Sequence, residues 1–231
     1  MTTTLITGAN KGLGYRTAER LIAAGHTVYL GARDSQRGAN AANAIGATFV
    51  SLDVTDDDSV SAAITVIDDA VGQLDVLINN AGIVGPYVAP QDATVEDVRV
   101  VYETNVFGVV RVTHAALPLL QRSAAPVIVN VSSGLGSLGV TTNPERMESH
   151  IPVLAYGSSK SAVVALTVQY AKALPLLRIN AVDPGYTATD MNDNSGTQSI
   201  DEGTDAIVRL AMVGTDGPTG GFFDRNGVVP W

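Results

Sequence analysis

The chain has 231 residues, 45% of them hydrophobic and 16% charged, with a formal net charge of −9. That length and balance fit one compact domain with a full core, and the negative charge argues against nucleic acid as a general partner. There is no cysteine, so disulfides and thiolate metal sites are excluded. His26, His114 and His150 are too scattered for a metal cluster, and no leader peptide or membrane-length apolar run is evident, so a cytoplasmic location is expected.

Thr3–Ile6 predicts a first strand that runs directly into Thr7-Gly8-Ala9-Asn10-Lys11-Gly12-Leu13-Gly14, and Lys11–Ala24 predicts a helix stopped at Gly25. Glycines at such a turn let backbone amides approach a pyrophosphate, and the helix N-terminus behind them favours its charge. The spacing G-x-x-x-G-x-G departs from the more familiar G-x-G-x-x-G, and its place between the first strand and first helix makes it informative. Val28–Leu30 predicts a second strand, followed by Gly31-Ala32-Arg33-Asp34. An acidic side chain here binds the ribose hydroxyls of NAD, and an arginine accommodates the extra phosphate of NADP. Arg33 and Lys11 together favour NADP(H) over NAD(H), while Asp34 keeps the NAD reading open. Ser35–Ile45 predicts a helix with Ser35 as a candidate cap. Thr48–Leu52 predicts a third strand, and Asp53 beyond it either accepts a hydrogen bond from adenine or caps the next turn. Asp57–Val71 predicts a helix with an acidic first turn that suits its dipole.

Val76–Asn79 predicts the fourth strand, and Thr94–Gln121 one long helix with Thr94 as its N-cap. Strands at Val127–Val131, Arg178–Val182 and Gly220–Phe223 alternate with helices at Ala155–Ala173 and Asp201–Met212. This alternation predicts a single α/β domain of Rossmann type, a doubly wound, seven-stranded parallel sheet with helices on both faces and right-handed connections. Two segments interrupt the rhythm, Gly134–Pro152 and the polar Asp190–Gln198, so substrate loops are expected at about 134–153 and 186–200 of the one domain spanning 1–231. Val84–Val88 is a further expected wall of the pocket. On the helix after the first of these loops, Tyr156 and Lys160 lie four residues apart and share a face. A free tyrosine titrates near about 10, and an adjacent cation lowers such a value by roughly 1–3 units, giving a general acid suited to carbonyl reduction. Only three lysines occur in the chain, and two of them, Lys11 and Lys160, fall in these motifs.

Thr7–Gly14, Asp53-Val54, Asn79–Gly82, Asn105, the serines of Asn130–Ser133, Tyr156–Lys160 and Asp183–Asp190 occur in the order found in the short-chain dehydrogenase/reductase family, which the chain resembles over nearly its whole length. The resemblance implies a catalytic set of Asn105, Ser133, Tyr156 and Lys160. Ser133, with Ser132 as the fallback, would hydrogen-bond the substrate carbonyl. Lys160 would bind the nicotinamide ribose and depress the Tyr156 pKa. Asn105 would kink the long helix and hold a water of a proton relay, with a purely structural role as its competitor. Cofactor binding would fall to Gly8, Asn10, Lys11, Gly12, Leu13, Gly14, Arg33, Asp53, Val54, Asn80, Ala81, Gly82, Tyr156, Lys160, Pro184, Gly185, Thr187 and Thr189, with Asn79 mainly structural. The reach from Ser133 to Tyr156 is longer than in the family's common form, which resembles the carbonyl-reductase-like branch. The implied activity is NADPH-dependent, reversible reduction of a ketone or aldehyde. The alternative is a non-catalytic NADP(H)-sensing protein, since fold does not fix function. A homodimer or homotetramer is implied by much of the family, and a monomer by members with larger insertions.

Overall fold

The computed structural model describes all 231 residues, Met1–Trp231. Strands β1 (Thr3–Ile6), β2 (Thr27–Ala32), β3 (Thr48–Ser51), β4 (Val76–Asn79), β5 (Val127–Val131), β6 (Arg178–Val182), β7 (Phe222–Asp224) and β8 (Gly227–Val228) form one sheet in the order β3-β2-β1-β4-β5-β6-β7-β8. The first seven are parallel, as expected. The eighth is an addition to the expected seven and pairs antiparallel with β7. Its hairpin turn is held by the Asp224 carboxylate, which accepts from Asn226 N and Gly227 N, and by Gly227 at φ +139°. Two residues of strand are too few to carry a legible alternation.

Alternation along the strands builds two cores. Leu5, Leu77, Ile128 and Ile179 point to one face and pack with α3 (Asp57–Val71), α5 (Gly108–Leu120) and the end of α7 (Leu154–Ala173). Ile6, Leu30, Ile78 and Val129 point to the other and pack with α1 (Gly12–Ala23), α2 (Ser35–Ile45) and α8 (Ile200–Ala211). The cap of α2 is Asp34 and not the expected Ser35. The Asp34 carboxylate accepts from Arg37 N and pairs with the Arg37 guanidinium.

The predicted long helix is broken. It is α4 (Val95–Tyr102), a π-helical turn at Glu103–Phe107, then α5. Thr94 does cap α4, in a reciprocal box with Asp97. The break centres on buried Asn105. Its Oδ1 accepts from Ile83 N at 2.8 Å, and its Nδ2 donates to Ile83 O and Ser159 Oγ. A side chain that binds two distant segments through all three contacts widens the helix locally, as π turns do at functional sites.

The segment between β5 and α7 contains a 3-10 turn at Gly134–Gly136, a one-turn helix α6 (Leu138–Thr141) and a second 3-10 turn at Met147–His150. The chain's last residues hold α6: Ser137 Oγ donates to Pro230 O, Gly139 N donates to Trp231 O, and Val140, Phe222 and Val229 share a small core.

Candidate active site

The parallel strands end at one edge of the sheet, where β1 and β4 mark the switch in strand order. Crevices at such switch points bind ligands in open α/β sheets. The Gly8–Gly14 turn lies at this edge with Gly8 at φ +62° and Gly12 at φ +60°. A Cβ on Gly14 would lie 2.5 Å from Asn80 Nδ2 and 2.9 Å from the Ala9 backbone, while one on Gly12 would meet nothing. So Gly14 serves close packing, and Gly12 leaves space open above the helix start. The N-cap of α1, Lys11, makes no side-chain cap, and no acidic residue lies in the first turn. By contrast α2, α3, α4 and α8 all have side-chain caps. The first amides of α1 are therefore left for an anion, and the cradle fits a pyrophosphate.

The remaining expected cofactor residues divide by what they touch. Asn80 Nδ2 donates to Thr7 O and Gly8 O, clamping the end of β4 to the glycine turn. Ala81 lies against Gly8, where an added Cβ would meet its Cα at 2.9 Å. Leu13 packs into the core below the turn, and Asn10 is only partly buried. Asp53 Oδ1 accepts from Thr55 N and Thr55 Oγ1, so the turn-capping option is realised there. Val54 is buried against α5 at Gly108, and its carbonyl accepts from Arg111, giving it a packing role. Arg33 is exposed and has no carboxylate partner, whereas Lys11 pairs with Asp190 at 3.0 Å with both side chains about 60% exposed. An ion pair that open contributes at most about 1 kcal/mol, so Lys11 is readily released. In the loop after β6, Gly185 stands at φ +71°, Thr187 Oγ1 donates to Pro184 O, and Thr189 N donates to Asn192 Oδ1. Gln198 Oε1 is buried beside Gly185 without a hydrogen-bond donor. An orphaned acceptor in this position fits an incoming amide group; the sequence marked Gln198 only as the end of an expected substrate loop.

Around Tyr156 the geometry is tighter. A buried network, Asn79 Nδ2 to Asn130 Oδ1 and Thr113 Oγ1, then Asn130 Nδ2 to Thr167 Oγ1, fixes α7 to β4, β5 and α5. Ser132 Oγ donates to Lys160 O, so the fallback serine is committed to holding α7. Ser133 caps the 3-10 turn by accepting from Leu135 N, and its side chain favours the ionised form of the Tyr156 phenol. Lys160 is buried. Its Nζ donates to Val131 O at 2.9 Å and lies 5.6 Å from the Tyr156 ring centroid. A Cβ on Gly82 would come within 3.3 Å of Asn105 Oδ1 and 3.4 Å of Lys160 Nζ, so both groups flank that glycine. Both amide hydrogens of Asn105 are used by protein, leaving only a spare Oδ1 lone pair for a water.

Electrostatics run opposite to expectation in the protein alone. Burial pushes the Tyr156 phenol up to about 12; Ser133 pulls it down, and the nearby Asp183 adds to the rise. Burial lowers Lys160 to about 8, and no carboxylate offsets it. The lysine is itself the strained cation, and the phenol holds its proton. Asp183, at the end of β6, is buried with a raised pKa, chiefly from burial, and accepts from Gly185 N. It belongs to the phenol's surroundings; the motif Asp183–Asp190 contains it, but no role was expected of it.

A cavity of about 290 Å³ opens beside Tyr156. Val84 and Pro86–Ala89 form one wall with Ala93 and Asp97 from the start of α4; Ile151–Ala155 form the other. Of the expected loops, 84–88 and the end of 134–153 line it, and 186–200 does not. A larger groove of about 630 Å³ lies between α3 and α5 and shares no residue with this cavity.

Comparison with known proteins agrees with this geometry. The family model described as short chain dehydrogenase matches residues 2–199. The chain is 30% identical to a (+)-neomenthol dehydrogenase of Capsicum annuum, covering 97% of this chain and 96% of that protein. It is 32% identical to a salutaridine reductase of Papaver bracteatum, covering 95% and 93% respectively. An NADPH-bound carbonyl reductase from chicken fatty liver superposes with a TM-score of 0.89 at 26% identity, covering 100% of this chain and 99% of that one. With a glycine turn over an uncapped helix, a serine–tyrosine–lysine set on β5 and α7, and a family match over most of its length, the chain belongs to the short-chain dehydrogenase/reductase family of oxidoreductases.

Proposed function

We propose that the protein reduces a ketone or aldehyde to an alcohol, reversibly, at the expense of NADPH. The observation that carries this reading is the placement of the Tyr156 phenol. It lines a largely apolar cavity, with Lys160 Nζ 5.6 Å from its ring centroid. Bound in the groove over Gly8–Gly14, NADPH would supply the hydride. Ser133 donates a hydrogen bond to the carbonyl oxygen and orients it. Tyr156, protonated because burial holds its pKa at about 12, gives that oxygen its proton. Lys160, titrating near 8, returns a proton to the phenol. The spare Oδ1 lone pair of Asn105 is available to position a water on that route. The buried Asn79–Asn130–Thr167 network keeps these groups in register, and positioning of this kind contributes as much as the acid itself.

NADP(H) is favoured by the second-strand turn. Asp34, the residue that would bind the ribose hydroxyls of NAD, is spent on the cap of α2 and on Arg37. Arg33 stands exposed and unpaired beside it. The names of the relatives fit a reductase of small-molecule carbonyls, and the chicken carbonyl reductase was solved with NADPH. A cytoplasmic location and a homodimer or homotetramer remain part of the proposal, with a monomer as the alternative favoured by the long segment before α7.

The test is cofactor oxidation with NADPH and with NADH across a panel of ketones, aldehydes and quinones. Turnover with kcat/KM at least about ten-fold higher for NADPH is expected. Binding of NADPH without turnover of any compound would favour the nucleotide-sensing alternative, and equal use of NADH would overturn the cofactor assignment.

A further inference from the structure

Three buried side-chain polar atoms have no hydrogen-bond partner: Thr17 Oγ1, Arg178 Nε and Gln198 Oε1. Thr17 lies inside α1, and Arg178 opens β6 at the end of the sheet away from the glycine turn. Gln198 instead sits at the edge where the strands end. Its amide lies against Gly185 in the loop after β6, where an added Cβ would come within 2.6 Å of Nε2 and 2.7 Å of Oε1. The missing side chain of Gly185 therefore makes room for this amide, at a φ of +71° that suits glycine.

The backbone holds the amide there. Gln198 N donates to Tyr186 O at 3.0 Å, and Gln198 O accepts from Ala188 N at 2.9 Å, in a bridge to Thr187. A Cβ on Gly196 would lie 2.2 Å from the carbonyl carbon of Thr187, so the two limbs of the loop are in contact. A buried amide oxygen without a donor bears the full loss of its hydration. The neighbouring groups cannot supply one, because they are spent within the loop. Gly185 N donates to Asp183 Oδ1, Thr187 N to Gly185 O, Thr187 Oγ1 to Pro184 O and Thr189 N to Asn192 Oδ1. Thr187 O in turn accepts from Asn192 Nδ2. What the loop offers an arriving ligand is an acceptor.

A ketone or aldehyde has no N–H or O–H on its carbonyl to give. The nicotinamide half of a dinucleotide carries one such donor group besides its ribose hydroxyls, the NH2 of the carboxamide. That group is planar and uncharged, as the glutamine amide is. The last torsion of a glutamine is broad and roughly two-fold, so Oε1 can turn outward while the backbone bridge stays in place.

We infer that Gln198 recognises the nicotinamide carboxamide, with Oε1 accepting from its NH2 group, and that this contact fastens the Tyr186–Gln198 loop to the bound dinucleotide. The inference rests on the dinucleotide site of the reductase reading and not on its carbonyl substrate.

The test uses NADP+ and NAD+, each beside its 3-acetylpyridine analogue, in which a methyl group replaces the NH2. Calorimetry gives the Kd of each for the wild type and for Gln198→Leu, with Gln198→Met as a second apolar replacement should the first not fold. The wild type is expected to bind the amide form about five- to ten-fold more tightly than the acetyl form. Both variants should bring that ratio to within about two-fold. Without ligand they should melt no lower than the wild type, since an unpaired amide has been removed. Amide exchange at Ala188 and Gln198 in the wild type should slow more with the amide form than with the acetyl form. An unchanged ratio in the variants overturns the inference and leaves carbonyl reduction standing. Equal weakening of both forms reports a disturbed loop and overturns it as well. A ratio that collapses as expected, in a chain that turns over no ketone or aldehyde, upholds the inference and overturns the reductase reading. A wild type that binds none of the four dinucleotides at millimolar concentration overturns both.

Discussion

At the scale of single residues, the unusual group is Lys160, a buried ammonium with one backbone acceptor and no carboxylate. Its folded pKa, about 8, lies below the ordinary 10.5. Below pH 8 both folded and unfolded chains carry the proton, and burial of the charge costs stability in full. Between about 8 and 10.5 the unfolded chain binds more protons, so stability rises with pH. Tyr156 acts in the opposite sense, but only from about pH 10 to 12, because its folded pKa is raised. Lys160→Met should therefore be more stable than the wild type at pH 7, despite an unpaired Val131 carbonyl. The difference should move in the wild type's favour by about 3 kcal/mol as pH rises from 7 toward 10.5. Urea unfolding at several pH values checks this, and a difference independent of pH would contradict the burial of the charge.

At the scale of elements, Tyr156, Lys160 and Ser133 are held by close approaches between segments that are far apart in sequence. A Cβ on Gly136 would sit 2.6 Å from the carbonyl carbon of Lys160, so the turn after β5 packs directly on the backbone of α7. Glycine to alanine at an ordinary φ usually stabilises by about 0.4–1 kcal/mol. Gly136→Ala should instead destabilise by about 1–3 kcal/mol, because neither backbone can yield cheaply. Displacing Lys160 should also lower kcat more than it raises KM. Gained stability with unchanged kcat would show that this contact does not position α7. The same scale explains what the sequence made legible. Strands and helices announced themselves by period, and β1 to β6 and most of the helices fall within a few residues of expectation. No period marked the π turn at Asn105, because its cause is a pair of contacts with Ile83 and Ser159 and not any local preference; the kink there was expected from the family resemblance alone. Asp34 displaced Ser35 as a cap because the carboxylate meets both Arg37 N and the Arg37 guanidinium.

At the scale of the whole molecule, the sheet's switch in strand order gathers the glycine turn, the β4 end, Ser133 and the β6 loop on one edge. Motif order along the chain is enough to anticipate that gathering, since parallel strands must place their carboxyl ends together. The cavity walls were only partly foreseen. Asp97, Ala93 and Leu154 reach it from the starts of α4 and α7, a placement that depends on how the loop after β4 folds back. Nor did the spacing of Tyr156 and Lys160 reveal which group burial strains more. A pair read as an ammonium lowering a phenol is, in the protein alone, a depressed lysine beneath a phenol that keeps its proton.

The proposed reaction turns on that phenol as the proton donor. The direct measurement is NADPH-driven reduction of a neutral ketone by Tyr156→Phe, together with NADPH binding to the same variant. Turnover should fall by about 10²–10⁴-fold, the ordinary contribution of a general acid, while the NADPH Kd stays within about three-fold of the wild type. Turnover near the wild-type rate in a variant that binds NADPH normally would contradict the account.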